Sequence, residues 1–404
     1  MYLYRHIEQA LKKAEKQTKV VLLTGARQVG KSTSICEVFP DYLYITLDDE
    51  NELRLALNDR SLFFQDRTFP LIIDEIQYAK ELFRSVKLIV DRDPGKGQVF
   101  ITGSQTYELL SAYSESLAGR ISILEMSSLS MRERLNIGFY DPFIPSADYI
   151  NNRQKNLRSY EDLWSLIQRG SLPELLDETR DREWFYRDYV RTYIERDVRR
   201  IVNIQDEMKF RALLVSLAAR SGQMLIYDDI ARDVGADVKT VQRWISVVEG
   251  SGLVKIIHPY HHNAIKRAIK TPKLFFMDTG LLCYLVGWNT PETAKNGAMS
   301  RQIFETFVVS EILKSFLNCG KDVSGIYYYR DKEKREIDLL IEDGNTLYPI
   351  EIKKGASLQP DWTASFSVLE KIKDKTIANG TVICQAEKRM PHSQTVEALP
   401  VAYV

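Results

Sequence analysis

Gly25, Ala26, Arg27, Gln28, Val29, Gly30, Lys31 and Ser32, followed by Thr33, have the types and spacing that bind phosphate. Glycines at 25 and 30 let the backbone curl so that its N–H groups point inward at phosphate oxygens, and a helix beginning at Ser32 adds the positive end of its dipole. Lys31 can then reach the β and γ phosphates of a nucleotide, while the Ser32 hydroxyl is offered to Mg2+. Further along, Pro70-Leu71-Ile72-Ile73 runs into Asp74 and Glu75. There Asp74 would hold the magnesium ion and Glu75 would act as the base that polarises water. The plainer alternative is a pair of acids capping a strand. Thr102-Gly103-Ser104-Gln105 follows the apolar run Val99-Phe100-Ile101, so Ser104 or Gln105 would sense a γ-phosphate or place the water.

A second chemistry is written nearer the C-terminal end. Asp338 lies in an apolar run from Glu336 to Ile341, a Gly344-Asn345 turn follows, and Leu347 to Lys353 forms the next run. Strand periodicity puts Glu351 and Lys353 on one face and the isoleucines at 350 and 352 on the other. A hairpin therefore brings Asp338 to Glu351 and Lys353. Two carboxylates can hold Mg2+, and a neighbouring lysine can orient water or steady developing phosphate charge. Glu-x-Lys alone carries no signal, since Glu207-Met208-Lys209 repeats it in a helical setting. The added weight comes from Asp338 and from Glu305, which lies in a helix expected over Ser300 to Phe316 and would join them as a third metal ligand. The alternative is a salt-bridge cluster.

These residues need elements to hold them. Val20 to Leu23 reads as a buried strand ahead of the phosphate loop, and Tyr42 to Leu47 as an additional strand, followed by Asp48-Asp49-Glu50. The implied fold is α/β, a parallel sheet with helices on both faces. Residues 160 to 220 are rich in helix formers. Within them Arg187, Arg191, Arg196, Arg199 and Arg200 could touch phosphates, although Asp188, Glu195 and Asp197 offer intrahelical pairing.

Ile226 to Val234 is a short amphipathic helix, Gly235 a turn, and Asp237 a cap for a second helix carrying Val238, Val241, Trp244, Ile245 and Val248. Gly250-Ser-Gly252 ends it before the strand Leu253 to Ile257, which completes a winged-helix pattern. Lys239, Thr240, Gln242 and Arg243 would face outward, with Lys266, Arg267, Lys270 and Lys273 after them, and could contact DNA. A lid or an oligomerisation surface is the equal alternative. His258, His261 and His262 have no cysteine or carboxylate cluster beside them and read as surface histidines.

Gly25 to Ser32, Leu47-Asp48-Asp49, Ile73 to Gln77, Thr102 to Gln105 and Leu117-Ala118-Gly119-Arg120 together resemble the AAA-like ATPases of bacteria and archaea that carry an uncharacterised C-terminal domain. The resemblance implies a P-loop ATPase core to about residue 128 and makes Arg120 a phosphate-sensing or finger arginine, acting on its own subunit or a neighbour. The alternative for Arg120 is a helix-end pairing with a carboxylate. The acid, turn, Glu351-x-Lys353 arrangement, with Glu305 upstream, resembles the restriction-endonuclease-like fold. The expected organisation is an ATPase core at 1–128, a helical region at 129–215, a winged helix at 216–273 and a restriction-endonuclease-like α/β domain at 274–404.

A chain of 404 residues suits two or three domains. The 55 lysines and arginines balance 55 aspartates and glutamates, so any nucleic-acid contact must come from a local patch. No apolar stretch nears the roughly 18 residues of a membrane span, and Met1 to Lys19 lacks the core of a secretory signal. Cys36, Cys283, Cys319 and Cys384 are too scattered for a zinc site or disulfide framework, so a cytoplasmic protein without a membrane partner is expected. The expected cofactors are ATP and Mg2+. The leading expectation is an ATPase that contacts nucleic acid and carries a metal-dependent nuclease domain, alone or as a homo-oligomer. Its rivals are a signalling ATPase whose other modules bind a protein partner, and a nucleotide-dependent DNA-binding regulator with an inert nuclease-like fold.

Overall fold

The computed structural model describes residues 2–103, 117–193, 207–262 and 270–404. Its first part is a five-stranded, all-parallel sheet built from β1 (Val20–Gly25), β2 (Leu43–Thr46), β3 (Leu71–Asp74), β4 (Val99–Gly103) and β5 (Ile121–Met126). The order is β2-β3-β4-β1-β5, so β4 separates the strand before the phosphate loop from the strand that ends in Asp74. β1, β3 and β4 are buried along their whole length, as strands covered on both faces must be. Alternation then assigns the faces. Val21 and Leu23 pack with Ile7, Leu11 and Ile35, whereas Val20 and Leu22 pack with Leu82, Phe83 and Val86 of the helix Leu82–Arg92.

A helical region follows, including Ala147–Gln154, Leu163–Arg169, Arg182–Tyr193 and Glu207–Ala218. The helix Tyr227–Val234 ends at Gly235 in the left-handed conformation, and Val238–Gly250 begins under Asp237, whose carboxylate accepts the Thr240 N–H at 2.9 Å. The short β6 (Gln223–Met224) joins β7 (Val254–Ile257) and β8 (Lys273–Phe276) in an antiparallel sheet of order β6-β8-β7. This corrects the boundary expected at residue 273. β8 pairs with both other strands, so the unit runs through Phe276.

The last part is a mixed sheet with a long helix, Ser300–Leu317, against it. Its strands are β9 (Ile326–Arg330), β10 (Glu336–Asp343), β11 (Thr346–Lys353), β12 (Thr376–Ile377), β13 (Gly380–Cys384), β14 (Met390–Pro391) and β15 (Val396–Pro400). They run in the order β14-β15-β13-β11-β10-β9, with β12 beside β11. β9, β10 and β11 form an antiparallel meander, while β11, β13 and β15 are parallel. The Ser300–Leu317 helix is buried almost all round and touches β5, β8 and β11, and one hydrophobic core runs from Ile7 to Val404. Among the described residues no helix is long and apolar enough to cross a membrane.

Candidate functional site

The loop after β1 curls as its glycines require. Gly25 has φ +138°, and a Cβ there would sit 2.0 Å from the Met126 carbonyl oxygen, so the close approach of β5 excludes any side chain. Lys31 and Ser32 open the helix Lys31–Val38. The Lys31 ammonium donates to the carbonyls of Gly25 at 3.1 Å and Ala26 at 2.8 Å. The Ser32 hydroxyl donates to Asp74 Oδ1 at 2.7 Å, which brings the first turn of this helix onto the carboxyl end of β3.

Asp74 is the hub. Besides Ser32, the Thr102 hydroxyl donates to Oδ1 and the Tyr44 hydroxyl donates to Oδ2 at 2.7 Å. Thr102 in turn accepts the Glu75 N–H at 3.2 Å. Glu75 has φ +59°, a left-handed conformation uncommon outside glycine and typical of strained functional positions. Burial pushes its carboxyl above the ordinary range, against the pull of Lys31 and a hydrogen bond from Gln77. A raised carboxyl is the direction a general base requires. Tyr44 and Thr102 were not singled out from the sequence. Thr102 had a local signal, as a hydroxyl residue ending a buried strand, but Tyr44 had none.

A cleft of about 340 Å³ opens over these residues. Arg27, Gln28, Gly30, Lys31, Ser32, Thr33, Asp48 and Glu75 line one side, and Tyr189 and Thr192 of the helix Arg182–Tyr193 line the other. The next residue, Tyr193, shares a buried hydrogen bond of 2.9 Å with Ser251. Gly252, at φ +76°, presses on the loop so closely that a Cβ would lie 3.1 Å from the Ala26 nitrogen. Lys255 of β7 pairs with Glu125 of β5 at 2.7 Å. The helix-turn-helix unit is thus seated on the phosphate loop. From the opposite side, Arg5 donates to the Val29 carbonyl at 2.6 Å and to Glu133 at 2.9 Å.

Of the described residues expected at this site, one, Arg120, is not brought to it. Arg120 precedes β5, and its carbonyl accepts the N–H of Val20, at the amino end of β1 and the far edge of the sheet from the loop. Its guanidinium pairs instead with the carboxylate of Asp91, so it does not reach the phosphate loop of its own chain. Ser104 and Gln105 lie outside the described residues, as do Glu195, Arg196, Asp197, Arg199, Arg200, Lys266 and Arg267. Lys239, Gln242 and Arg243 are exposed on the Val238–Gly250 helix.

In the C-terminal sheet the β10–β9 register shifts between Ile337 and Leu340, the stretch that carries Asp338. Its carboxylate accepts the Ile352 N–H at 2.7 Å and stands 3.9 Å from Lys353 Nζ. Lys353 also pairs with Glu351 Oε1, so the hairpin brings the three residues together. Burial first, and then the adjacent Asp338 carboxylate, pushes Glu351 up to about 9, and its buried Oε2 has no hydrogen-bond partner among the described residues. A cavity of about 600 Å³ is lined by Asp338, Lys353, Glu305, Arg301, Lys354 and Trp362, among others. Glu305, expected as a third metal ligand, is held at 3.0 Å by Lys273 of β8. Burial pushes Glu305 up to about 7, against the pull of Lys273. Among the described residues no group of three or more His, Cys, Asp and Glu side chains is arranged to hold a metal ion.

The strand order, the loop after β1 and the acids after β3 form a P-loop-type α/β core, and residues 17–135 match the AAA domain family. Residues 160–292 match a domain of unknown function (DUF8612), and residues 301–404 a second one (DUF4143). Uncharacterized proteins of Mycobacterium bovis and Mycobacterium tuberculosis are each 28% identical over 392 residues, which is 96% of this chain and 82% of theirs. Among solved structures, a Walker-type ATPase of Pyrococcus abyssi is similar at 14% identity and TM-score 0.43, over 69% of this chain and 94% of that one. AMPPCP-bound DnaA from Aquifex aeolicus aligns at 14% identity and TM-score 0.26, over 60% of this chain and 85% of its own.

Proposed function

We propose that this chain binds and slowly hydrolyses Mg-ATP. The observation that carries the reading is the convergence of Lys31, Ser32 and Glu75 at one cleft, with Asp74 in direct contact with Ser32. These residues fit the cofactor. Ser32 and Asp74 would hold Mg2+, which supplies charge neutralisation at the β and γ phosphates, Lys31 would bind the same phosphates, and Glu75 would take the proton of the attacking water. Lys31→Ala is expected to abolish nucleotide binding in a calorimetric titration. Glu75→Gln is expected to keep affinity while turnover falls by about 100-fold or more. Equal affinity in wild type and the Lys31 variant would sink the proposal.

A second reading, favoured by the buried and unpartnered oxygen of Glu351 beside Asp338, makes the C-terminal cavity a metal-dependent site for nucleic-acid phosphodiesters. The restriction-endonuclease-like fold, the winged helix with Lys239 and Arg243 facing outward, a nucleic-acid partner and a cytoplasmic setting all belong to this reading. Wild type and Asp338→Ala are compared on duplex DNA, single strands and RNA, with Mg2+ or Mn2+ and with or without ATP. Cleavage by wild type alone supports the reading. Binding without cleavage points to a DNA-binding regulator, and neither binding nor cleavage points to an ATPase whose modules engage protein.

A further inference from the structure

The cleft over the phosphate loop is walled by Arg27, Lys31, Ser32, Asp48 and Glu75, groups that suit phosphates and Mg2+, and among the described residues Tyr189 is its one aromatic wall. A second cleft, of about 350 Å³, shares Gln28, Tyr189 and Thr192 with it. Phe185, Asp188, Tyr189 and Thr192 recur at three- and four-residue spacing, so one face of the helix Arg182–Tyr193 runs along both spaces. The second cleft has a different chemistry. Trp184, Phe185 and Tyr189 give it three aromatic side chains. Its one cation among the described lining residues, Arg180, is paired with Glu174. Asp188 is paired at 3.1 Å with Arg187, which stands outside the lining, and Asp181 accepts the Trp184 backbone N–H at 2.6 Å. The walls thus offer aromatic faces and acceptors, and no unpaired cation for another phosphate. Trp184 is 62% exposed, and with the Arg187 guanidinium over its ring, 4.1 Å from the centroid, the opposite face is left uncovered.

We propose that this second cleft is the nucleoside subsite of the phosphate-loop cleft, with Trp184 as the platform on which the base stacks. The proposal rests on the reading of the first cleft as a nucleotide site. The triphosphate lies against Lys31 and Ser32, and the ribose and base pass Gln28, Tyr189 and Thr192 into the neighbouring space. The carboxylates of Asp181 and Asp188 accept hydrogen bonds, which is what ribose hydroxyls and the amino group of a base donate. The ligand class is therefore a nucleoside triphosphate, whereas a bare polyphosphate fills the first cleft alone. Because Lys31 belongs to the parallel sheet and Trp184 to the helical region, one bound nucleotide touches both parts of the chain.

The test is calorimetric titration of the full chain with Mg-ATP and, separately, with inorganic tripolyphosphate and Mg2+, in wild type, Trp184→Ala and Trp184→Phe. Trp184→Ala should weaken ATP by about tenfold, the scale of one base stacked on an aromatic ring, and should leave tripolyphosphate within about twofold. Trp184→Phe keeps a stacking face and should recover most of the ATP affinity. ATP should also quench tryptophan fluorescence in wild type, and much less in Trp184→Phe. Unchanged ATP affinity in Trp184→Ala, an equal loss for ATP and tripolyphosphate, or no recovery in Trp184→Phe would each overturn the proposal. If tripolyphosphate binds too weakly to measure, the recovery by Trp184→Phe decides. Absence of ATP binding in wild type would instead overturn the nucleotide reading on which the proposal rests.

Discussion

Glu133 is buried behind the phosphate loop, and replacing it by glutamine isolates the value of one charge. Its two oxygens accept from Arg5 Nε at 2.9 Å, the His6 N–H at 2.9 Å, the Ser130 N–H at 2.7 Å and the Ser130 hydroxyl at 2.9 Å. Burial by itself would raise this carboxyl, but the Arg5 guanidinium, His6 and the Ser130 N–H more than reverse it and hold Glu133 at about 2 against an ordinary 4.5. That displacement corresponds to roughly 3 kcal/mol in favour of the charged form in the folded chain.

The folded value lies below the unfolded one, so this stabilisation is complete above about pH 5 and is lost as the pH falls through 4.5 towards 2. Glu133→Gln keeps the volume but cannot ionise, and it leaves the Arg5 charge buried and uncompensated. Urea unfolding should show a loss of about 3 kcal/mol near pH 7, shrinking to less than half of that near pH 3. Arg5 also holds the Val29 carbonyl, so amide exchange across residues 25–33 should quicken in the variant. An equal loss at neutral and acid pH, or no loss at all, would refute the linkage argument.

Two further substitutions address the loop and its hub. Gly252→Ala forces a side chain into φ +76° and within 3.1 Å of the Ala26 nitrogen, so it should destabilise by about 1–3 kcal/mol and weaken binding of a fluorescent ATP analogue. Unchanged melting and affinity would mean that the contact is not made in solution. Tyr44→Phe removes the hydroxyl that fixes Asp74 Oδ2, and should raise the Mg2+ needed for half-maximal turnover by about tenfold while leaving kcat at saturating Mg2+ intact. A fall in kcat with an unchanged Mg2+ requirement would count against that role.

The α/β class was legible because β1, β3 and β4 are buried on both faces and so read as unbroken apolar runs. The grouping of Lys31, Ser32, Asp74 and Glu75 was legible too, because phosphate chemistry places them at strand ends within short motifs. Of the two readings open for Arg120, pairing with a carboxylate is the one seen within the chain, with Asp91. Its residue type suited the site, but it precedes its strand, and in a parallel sheet that position lies at the wrong edge. Arg5, Tyr44, Tyr189 and Lys273 reach their partners across 24 or more residues of chain, and nothing in their own neighbourhood announces the contact. Lys273 is the plainest case. A lysine ahead of Leu274-Phe275-Phe276 reads as a polar strand end, and only the docking of two sheets turns it into a buried ion-pair partner.

The seating of Gly252 on Ala26 has a thermodynamic corollary. Anything that binds the Val238–Gly250 helix and shifts its C-terminal turn does work on the phosphate loop, and nucleotide that reshapes the loop does equal work on the turn. The two affinities then change by one common factor, whatever the partner is. A nucleotide titration repeated with and without a ligand of that helix measures the partner's own preference between loop states.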